Sequence, residues 1–213
     1  MYVPRAFDCP VLDRLYELIR QYSFALLISQ AATEPVATHL PLLLDPLDGA
    51  HGTLIGHLAR ANPQWVTFGQ QSVLAIFSGP HRYISPSWYQ AENVVPTWNY
   101  VAVHAYGRVE IISDREQLRL LTRRTVTVYE SAMPTPWSMP EPNTQFEDRM
   151  LDQIVGFRIP IETIQGKWKL SQNHPPERRE KIIVQLKQQG DSDSLAIARL
   201  MEAGLTEGSI NPQ

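Results

Sequence analysis

A single cysteine, Cys9, among 213 residues removes several kinds of chemistry at the outset. The chain has no internal disulfide and no thiolate metal centre; oxygen- and nitrogen-ligand sites remain open, and no metal is expected. Long apolar runs are missing as well. A stretch such as residues 24–28 is far shorter than the roughly 20 residues a membrane span needs, so no membrane partner is expected. The opening Met-Tyr-Val-Pro-Arg-Ala-Phe-Asp lacks the apolar centre of a secretory leader, and a cytoplasmic location is expected. Positive charge is not in excess either: 19 Lys and Arg stand against 22 Asp and Glu, a formal net charge of -3. A protein that holds nucleic acid by neutralising phosphates carries a basic face, so this balance leaves room for a local patch and not for a large DNA surface. Four nucleotide, metal and nucleophile signatures are absent: His-Glu-x-x-His, Gly-x-Gly-x-x-Gly, the Walker A loop and Gly-x-Ser-x-Gly.

What remains is an ordinary globular composition, 43% hydrophobic and 19% charged, long enough to bury roughly 70% of its unfolded surface. One domain over residues 1–213 is expected, with C-terminal helices at about 175–203 packed on it. Apolar spacing at Leu12, Leu15, Ile19 and Tyr22 predicts a first helix capped by Asp8, with Pro10 in its opening turn. Strands are expected at 24–29, 35–44 and 53–58, joined by turn-rich Asp45-Pro46-Leu47-Asp48-Gly49. Asn62-Pro63 opens a short helix to Phe68, and a strand at 72–77 is expected to stop at Ser78-Gly79-Pro80. Residues 98–112 read as the longest strand. The capping box from Ser113 to Glu116 then starts a helix to about Glu130. Pro134, Pro136, Pro140 and Pro142 mark a loop, lid or dimer arm. A short helix at 145–153, a strand at 154–164 and two helices at 175–189 and 192–203 complete the pattern, which is antiparallel meander logic with helices around it.

Three separated segments offer similar chemistry. Lys167, Lys169, Ser171 and Gln172 lie in Lys-Trp-Lys-Leu-Ser-Gln-Asn; in extended chain Lys167, Lys169 and Ser171 share one face. Lysine donates to phosphate or to ring carbonyl oxygens, and a solvated lysine pair at a strand edge is the plain alternative. Arg60 follows an apolar strand beside Asn62 and a proline-started helix, where a guanidinium and free helix N–H groups can converge on a phosphate, and a solvent-facing arginine at a strand end is the plain alternative. Thr97 and Asn99 flank Trp98 on the opposite strand face. Tyr83, Trp88, Tyr89, Trp98 and Tyr100 can pack a flat ring, although each one singly reads better as core. Ser85 either touches ligand or caps the next turn. His39 and His57 are secondary candidates, since a lone histidine in an apolar strand is more often structural. One composite pocket for an anionic, planar ligand is the reading these segments suggest.

The same strings carry a resemblance. Met-Tyr-Val-Pro-Arg-Ala-Phe at 1–7, Ala37-Thr38-His39-Leu40-Pro41, Gly56 to Trp65, Ser78-Gly79-Pro80-His81, Tyr83 to Tyr89, Pro96 to Tyr100, Ile154-Val155-Gly156-Phe157 and the Lys-Leu-Ser-Gln-Asn run together resemble the PaiB-type FMN-binding negative transcriptional regulators of the flavin split-barrel superfamily, over about residues 1–175. The resemblance implies an α+β, mainly β fold: an antiparallel, Greek-key-like split barrel with flanking helices. It further implies FMN as cofactor, a homodimer with flavin at the interface, and Arg60 as leading phosphate ligand. It also implies repression of transcription, yet no helix-turn-helix is evident. The C-terminal pair carries Arg178, Arg179 and Lys181, which Glu177 and Glu180 largely offset, so DNA contact is possible by resemblance and unsupported by charge. The competing functions are a flavin-dependent oxidoreductase acting on a small molecule and a flavin-free interaction barrel.

Overall fold

The computed structural model describes residues 1–138 and 144–208. It divides into two compact units, one made of Met1–Leu18, Ser78–Val103 and Gln165–Gln213, the other of Ile19–Phe77 and His104–Ile164. The elements in chain order are α1 (Leu12–Gln21), β1 (Phe24–Gln30), β2 (Pro35–Pro41), β3 (Leu43–Asp45), β4 (Thr53–Ala59), β5 (Ser72–Ile84), β6 (Thr97–Arg108), β7 (Glu110–Ile111), α2 (Arg115–Glu130), α3 (Thr144–Leu151), β8 (Ile154–Lys169), α4 (Pro176–Gln189) and α5 (Ser192–Gly208). Single 3-10 turns stand at Arg5–Phe7, Pro63–Thr67 and Pro86–Trp88. The strand order is β2-β1-β5-β6-β8-β4-β3, with β7 on β8, and β5, β6 and β8 each give residues to both units.

In the second unit, β1 pairs antiparallel with β2 from Phe24↔Pro41 to Gln30↔Pro35, and β4 pairs with β8 from Thr53↔Pro160 to Ala59↔Ile154. Their alternating apolar residues, Ala25, Leu27, Leu54, Leu58, Phe157 and Ile159, are buried, as a strand with one covered face requires. Phe68 meets Phe157 edge-on at 5.3 Å. Leu118 and Leu121 of α2 and Leu151 of α3 form a smaller cluster with Ile55, Ile112 and Ile154 around it. In the first unit, α4 and α5 pack on one another and α4 packs on the turn Pro86–Trp88. Ile182, Leu186, Ile197 and Met201 between the two helices are fully covered. Gly190 ends α4 at φ +73°, the left-handed position that glycine takes without steric cost.

Several boundaries differ from expectation for local reasons. Asp8 does not cap α1: it forms an isolated antiparallel bridge with Lys167, Cys9 N–H donates to the Gly166 carbonyl at 3.2 Å, and a residue before proline disfavours helix. The helix therefore begins at Leu12. The second strand breaks at Leu42, where the N–H turns to the Ser23 carbonyl at 2.9 Å. Ser78-Gly79-Pro80 does not stop β5. Its pairing with β1 covers Leu74–Ile76 only, so Pro80 removes no bond from that ladder. Gly79 allows close packing, since a Cβ there would lie 2.6 Å from Val101 and 2.9 Å from Leu18. The expected strand at 98–112 is split at Val109, and the longest strand is β8, of 16 residues. Helix α2 is capped by Asp114, which accepts from Gln117 N–H at 2.8 Å, and not by Ser113. Glu116 instead bonds Arg119. Pro134 and Pro136 lie in chain without helix or strand, while Pro140 and Pro142 fall outside the described residues.

Candidate functional site

In the first unit, β8 ends at Lys169, and its last two cations point into a setting of aromatic rings. Lys167 is buried, 7% exposed. Its Nζ donates to the Tyr2 carbonyl at 3.0 Å and lies 5.5 Å from the Tyr2 ring and 5.3 Å from the Tyr100 ring, within cation–π range. Lys169 Nζ donates to the Trp98 carbonyl at 2.7 Å and to the Thr97 hydroxyl, 5.7 Å from the Phe7 ring. Burial, and then the charge of Lys167, hold the Lys169 pKa below the usual lysine value. The ion pairs of this unit include His81 with Asp193, Arg82 with Asp191 and Lys187 with Glu202, and among the described residues neither Lys167 nor Lys169 is paired with a carboxylate. Buried Lys167 and half-buried Lys169 are like charges close enough to act on one another, an arrangement that an anion at Lys169 relieves.

The chain leaves extended geometry just after Lys169, because Ser171 sits at φ +63°. The expectation that Lys167, Lys169 and Ser171 share an extended face is thereby corrected: Ser171 Oγ turns to the fully buried Asn99, donating to its Oδ1 at 3.0 Å. Gln172 is taken up by the same turn, accepting from Leu170 N–H at 2.7 Å and donating to the Trp168 carbonyl at 2.5 Å. Ser85 acts as a cap, its Oγ accepting from Ser87 N–H at 3.3 Å. Thr97, Asn99, Lys169 and Ser171 are thus brought together in one polar cluster, whereas Ser85 and Gln172 serve local turns.

The second unit holds His39, His57, Arg60 and Asn62. Arg60 is tied to the segment between α3 and β8: its backbone N–H donates to the Gln153 carbonyl, Nε to the Asp152 carbonyl and Nη2 to the Ile154 carbonyl, each at 2.8 Å. Its own carbonyl accepts from Trp65 Nε1 at 3.0 Å. Asn62 Oδ1 accepts from Gln64 N–H at 3.0 Å and Nδ2 donates to Thr38 Oγ1 at 2.8 Å, the behaviour of an N-cap. His39 is exposed and stacks on Phe24 at 6.2 Å. Burial lowers the His57 pKa. Three residues beside the lysines escaped sequence reasoning as site members: Tyr2 and Phe7, whose rings face the ammonium groups, and His174, which feels Arg178 and Lys169. Only the density of aromatic residues near the cations hinted at them.

Residues 1–163 match the family model described as "Putative FMN-binding domain". The chain belongs to this family. It is 37% identical over 203 residues to "Protease synthase and sporulation protein PAI 2" of Bacillus subtilis (strain 168), covering 95% of this chain and 97% of that protein. Among solved structures it is similar to the flavocytochrome Anf3 from Azotobacter vinelandii, with TM-score 0.58 and 14% identity over 78% of this chain and 72% of that one. It is also similar to the FAD and heme binding protein from Mycobacterium smegmatis, with TM-score 0.55 and 13% identity over 81% and 78%. The fold of this FMN-binding family member is the flavin split barrel, and FMN is its cofactor. The lysine cluster fits such a group: it offers two unneutralised cations, a spare ammonium proton on Lys169 and ring faces around them. Lys167 and Lys169 lie beyond the matched 1–163, so the family model is silent about them. Among the described residues no helix is long and apolar enough to cross a membrane.

Proposed function

We propose that this protein is a flavin-responsive regulator that grips FMN through Lys167 and Lys169 and acts on transcription without reading DNA by itself. The observation that carries the first half is the neighbouring pair of buried Lys167 and half-buried Lys169 with no carboxylate partner among the described residues. In this reading Lys169 holds the anionic part of the cofactor with its remaining N–H. Thr97 and the Trp98 carbonyl fix its direction, and Lys167 supplies charge from below. Asn99 and Ser171 keep the turn behind them in place. Flavin supplies redox chemistry when bound. Arg60, with Asn62, His57 and His39, forms a second candidate set in the other unit. Arg60 Nε and Nη2 already serve backbone carbonyls, which leaves both Nη1 protons and one on Nη2 for a phosphate. Gln172 and Ser85 shape the turns that present the first set.

The second half rests on charge placement. Of the basic residues on α4, Arg179 is 8% exposed and donates toward the Met201 carbonyl, so it does not belong to an exposed basic face. The homodimer and the cytoplasmic location belong to the same proposal. Trp98 and the nearby Val95, both exposed in the first unit, are apolar side chains that association would cover. The decisive experiment is an absorption spectrum of the purified protein followed by titration of the apo form with FMN and with riboflavin, wild type against Lys169→Ala. Loss of FMN binding with riboflavin little changed supports the lysine set. Equal loss of both ligands, or a colourless protein that takes up no flavin, would overturn it.

A further inference from the structure

Beside Lys169 the interior of the first unit carries more hydrogen-bond donors than acceptors. Tyr89, at the end of the turn Pro86–Trp88, is 1% exposed, yet its hydroxyl has no hydrogen-bond partner. Ser171 lies within weak hydrogen-bonding reach of it but gives its own proton to Asn99 Oδ1 at 3.0 Å, so the phenol is left without a well-formed bond. The buried Asn99 amide donates only to the Met201 sulfur, at 3.4 Å, and a thioether is a weak acceptor. The half-buried His174 ring is 5.0 Å from the Tyr89 ring and tilted against it. Both Arg178 of α4 and Lys169 of β8 act on His174, and among the described residues neither cation is in an ion pair. The three non-glycine residues at positive φ among the described residues, Gln90, Asn93 and Ser171, all lie in the two segments that meet at the Tyr89–His174 contact. Backbone strain of this kind persists where surrounding structure enforces it, and it concentrates at ligand sites.

We infer that Tyr89, Asn99 and His174, with Lys169 and Arg178 at the rim, bind a small oxyanion: a carboxylate or a phosphate monoester. Such a ligand only accepts hydrogen bonds. It satisfies the phenol and amide donors that the fold leaves unpaired and neutralises the rim cations. A neutral or cationic ligand does neither. The oxyanion is either a free small anion or the phosphate carried by FMN itself, and the chemistry is the same for both. The inference shares Lys169 with the flavin reading above and rests on that reading only where the anion is the phosphate of FMN; phosphate binding by apo protein tests it separately.

The test titrates full-length apo protein with inorganic phosphate, following heat and melting temperature. Saturable binding is expected, about tenfold weaker in Tyr89→Phe, because a hydrogen bond to a charged group is lost. Without phosphate, Tyr89→Phe should melt no lower than wild type, since its hydroxyl has no partner to lose. Affinity for sulfate, whose charge is fixed over this range, should rise as pH falls, because the added positive charge on His174 faces the anion, and His174→Gln should remove that rise. Phosphate that competes with FMN and not with riboflavin identifies the cofactor's phosphate as the ligand; phosphate that binds alongside FMN identifies a separate anion. Either result supports the site. No binding below about 10 mM, equal affinity in Tyr89→Phe, or a lower melting temperature for apo Tyr89→Phe would overturn it.

Discussion

Two cationic regions of this molecule look alike on paper and differ in what their charge is used for. Arg60 gives its main-chain N–H and two side-chain nitrogens to consecutive carbonyls around the start of β8. Its guanidinium works largely as a clamp on backbone. Lys167 and Lys169 also bond carbonyls, but they are close enough to depress the pKa of Lys169, and no acid relieves them. A cation spent on backbone holds a fold together, whereas a buried and a half-buried lysine set against each other are the pair proposed above to receive an anion. Polar residues two apart in sequence do not reveal which case applies; the positions of the carbonyls and carboxylates around them do.

The largest effect that can break this comparison is expected from removing both lysines. Lys167→Ala with Lys169→Ala should weaken FMN about a hundredfold, since two charge-assisted contacts are each worth about 1.5 kcal/mol or more, with riboflavin affected less. Fluorescence titration of both flavins measures it. If Arg60→Ala erodes the preference for FMN over riboflavin more than the lysine pair does, the phosphate belongs to the other unit and the two regions exchange roles.

Arg60→Ala sharpens the contrast through stability. Losing two side-chain bonds at an exposed position should cost about 1–2 kcal/mol, which lowers the melting temperature by several degrees in a chain of this size. Thermal melting of apo protein checks this, and an unchanged melting temperature would show that the clamp contributes little.

A smaller effect is expected from pH. Burial holds His57 and His104, both in the Arg60 unit, below the ordinary 6.5. Below 6.5 the unfolded chain binds protons that the folded chain resists. Their contribution to stability is therefore complete above about 6.5 and is lost as pH falls toward the folded values. Melting followed from pH 8 to pH 5 should decline across that window, and His57→Gln should flatten part of the decline. A profile identical to wild type would remove His57 from the explanation.

The smallest effect is expected from Gln172→Ala. Its amide closes its own turn, so the variant should lose about 1 kcal/mol of stability and shift flavin affinity far less than Lys169→Ala. An affinity loss equal to that of Lys169→Ala would return Gln172 to direct ligand contact.

By itself the sequence determined the family, the mainly antiparallel sheet, the helical pair at the C-terminus and the segments rich in ligand chemistry. The family follows from the resemblance of its ordered strings, and the rest from short-range patterns: apolar alternation in β1 and β4, Pro63 after a capping Asn62, and glycine after α4. Tertiary structure alone decided how those residues are used. Arg60 meets carbonyls 92 and 94 positions away, Lys169 meets a carbonyl 71 positions away, and Asn99 meets a serine 72 positions away. Pairing of distant strands fixes such partners, which no window of neighbouring residues contains. The same holds for Gly79 and Pro80, which read locally as a stop and continue as strand, because β1 pairs only with Leu74–Ile76 and Val101 with Leu18 packs against the missing side chain. Tyr89 is the sharpest case: as a residue type it signals core, and only the folded chain shows a hydroxyl buried without a partner.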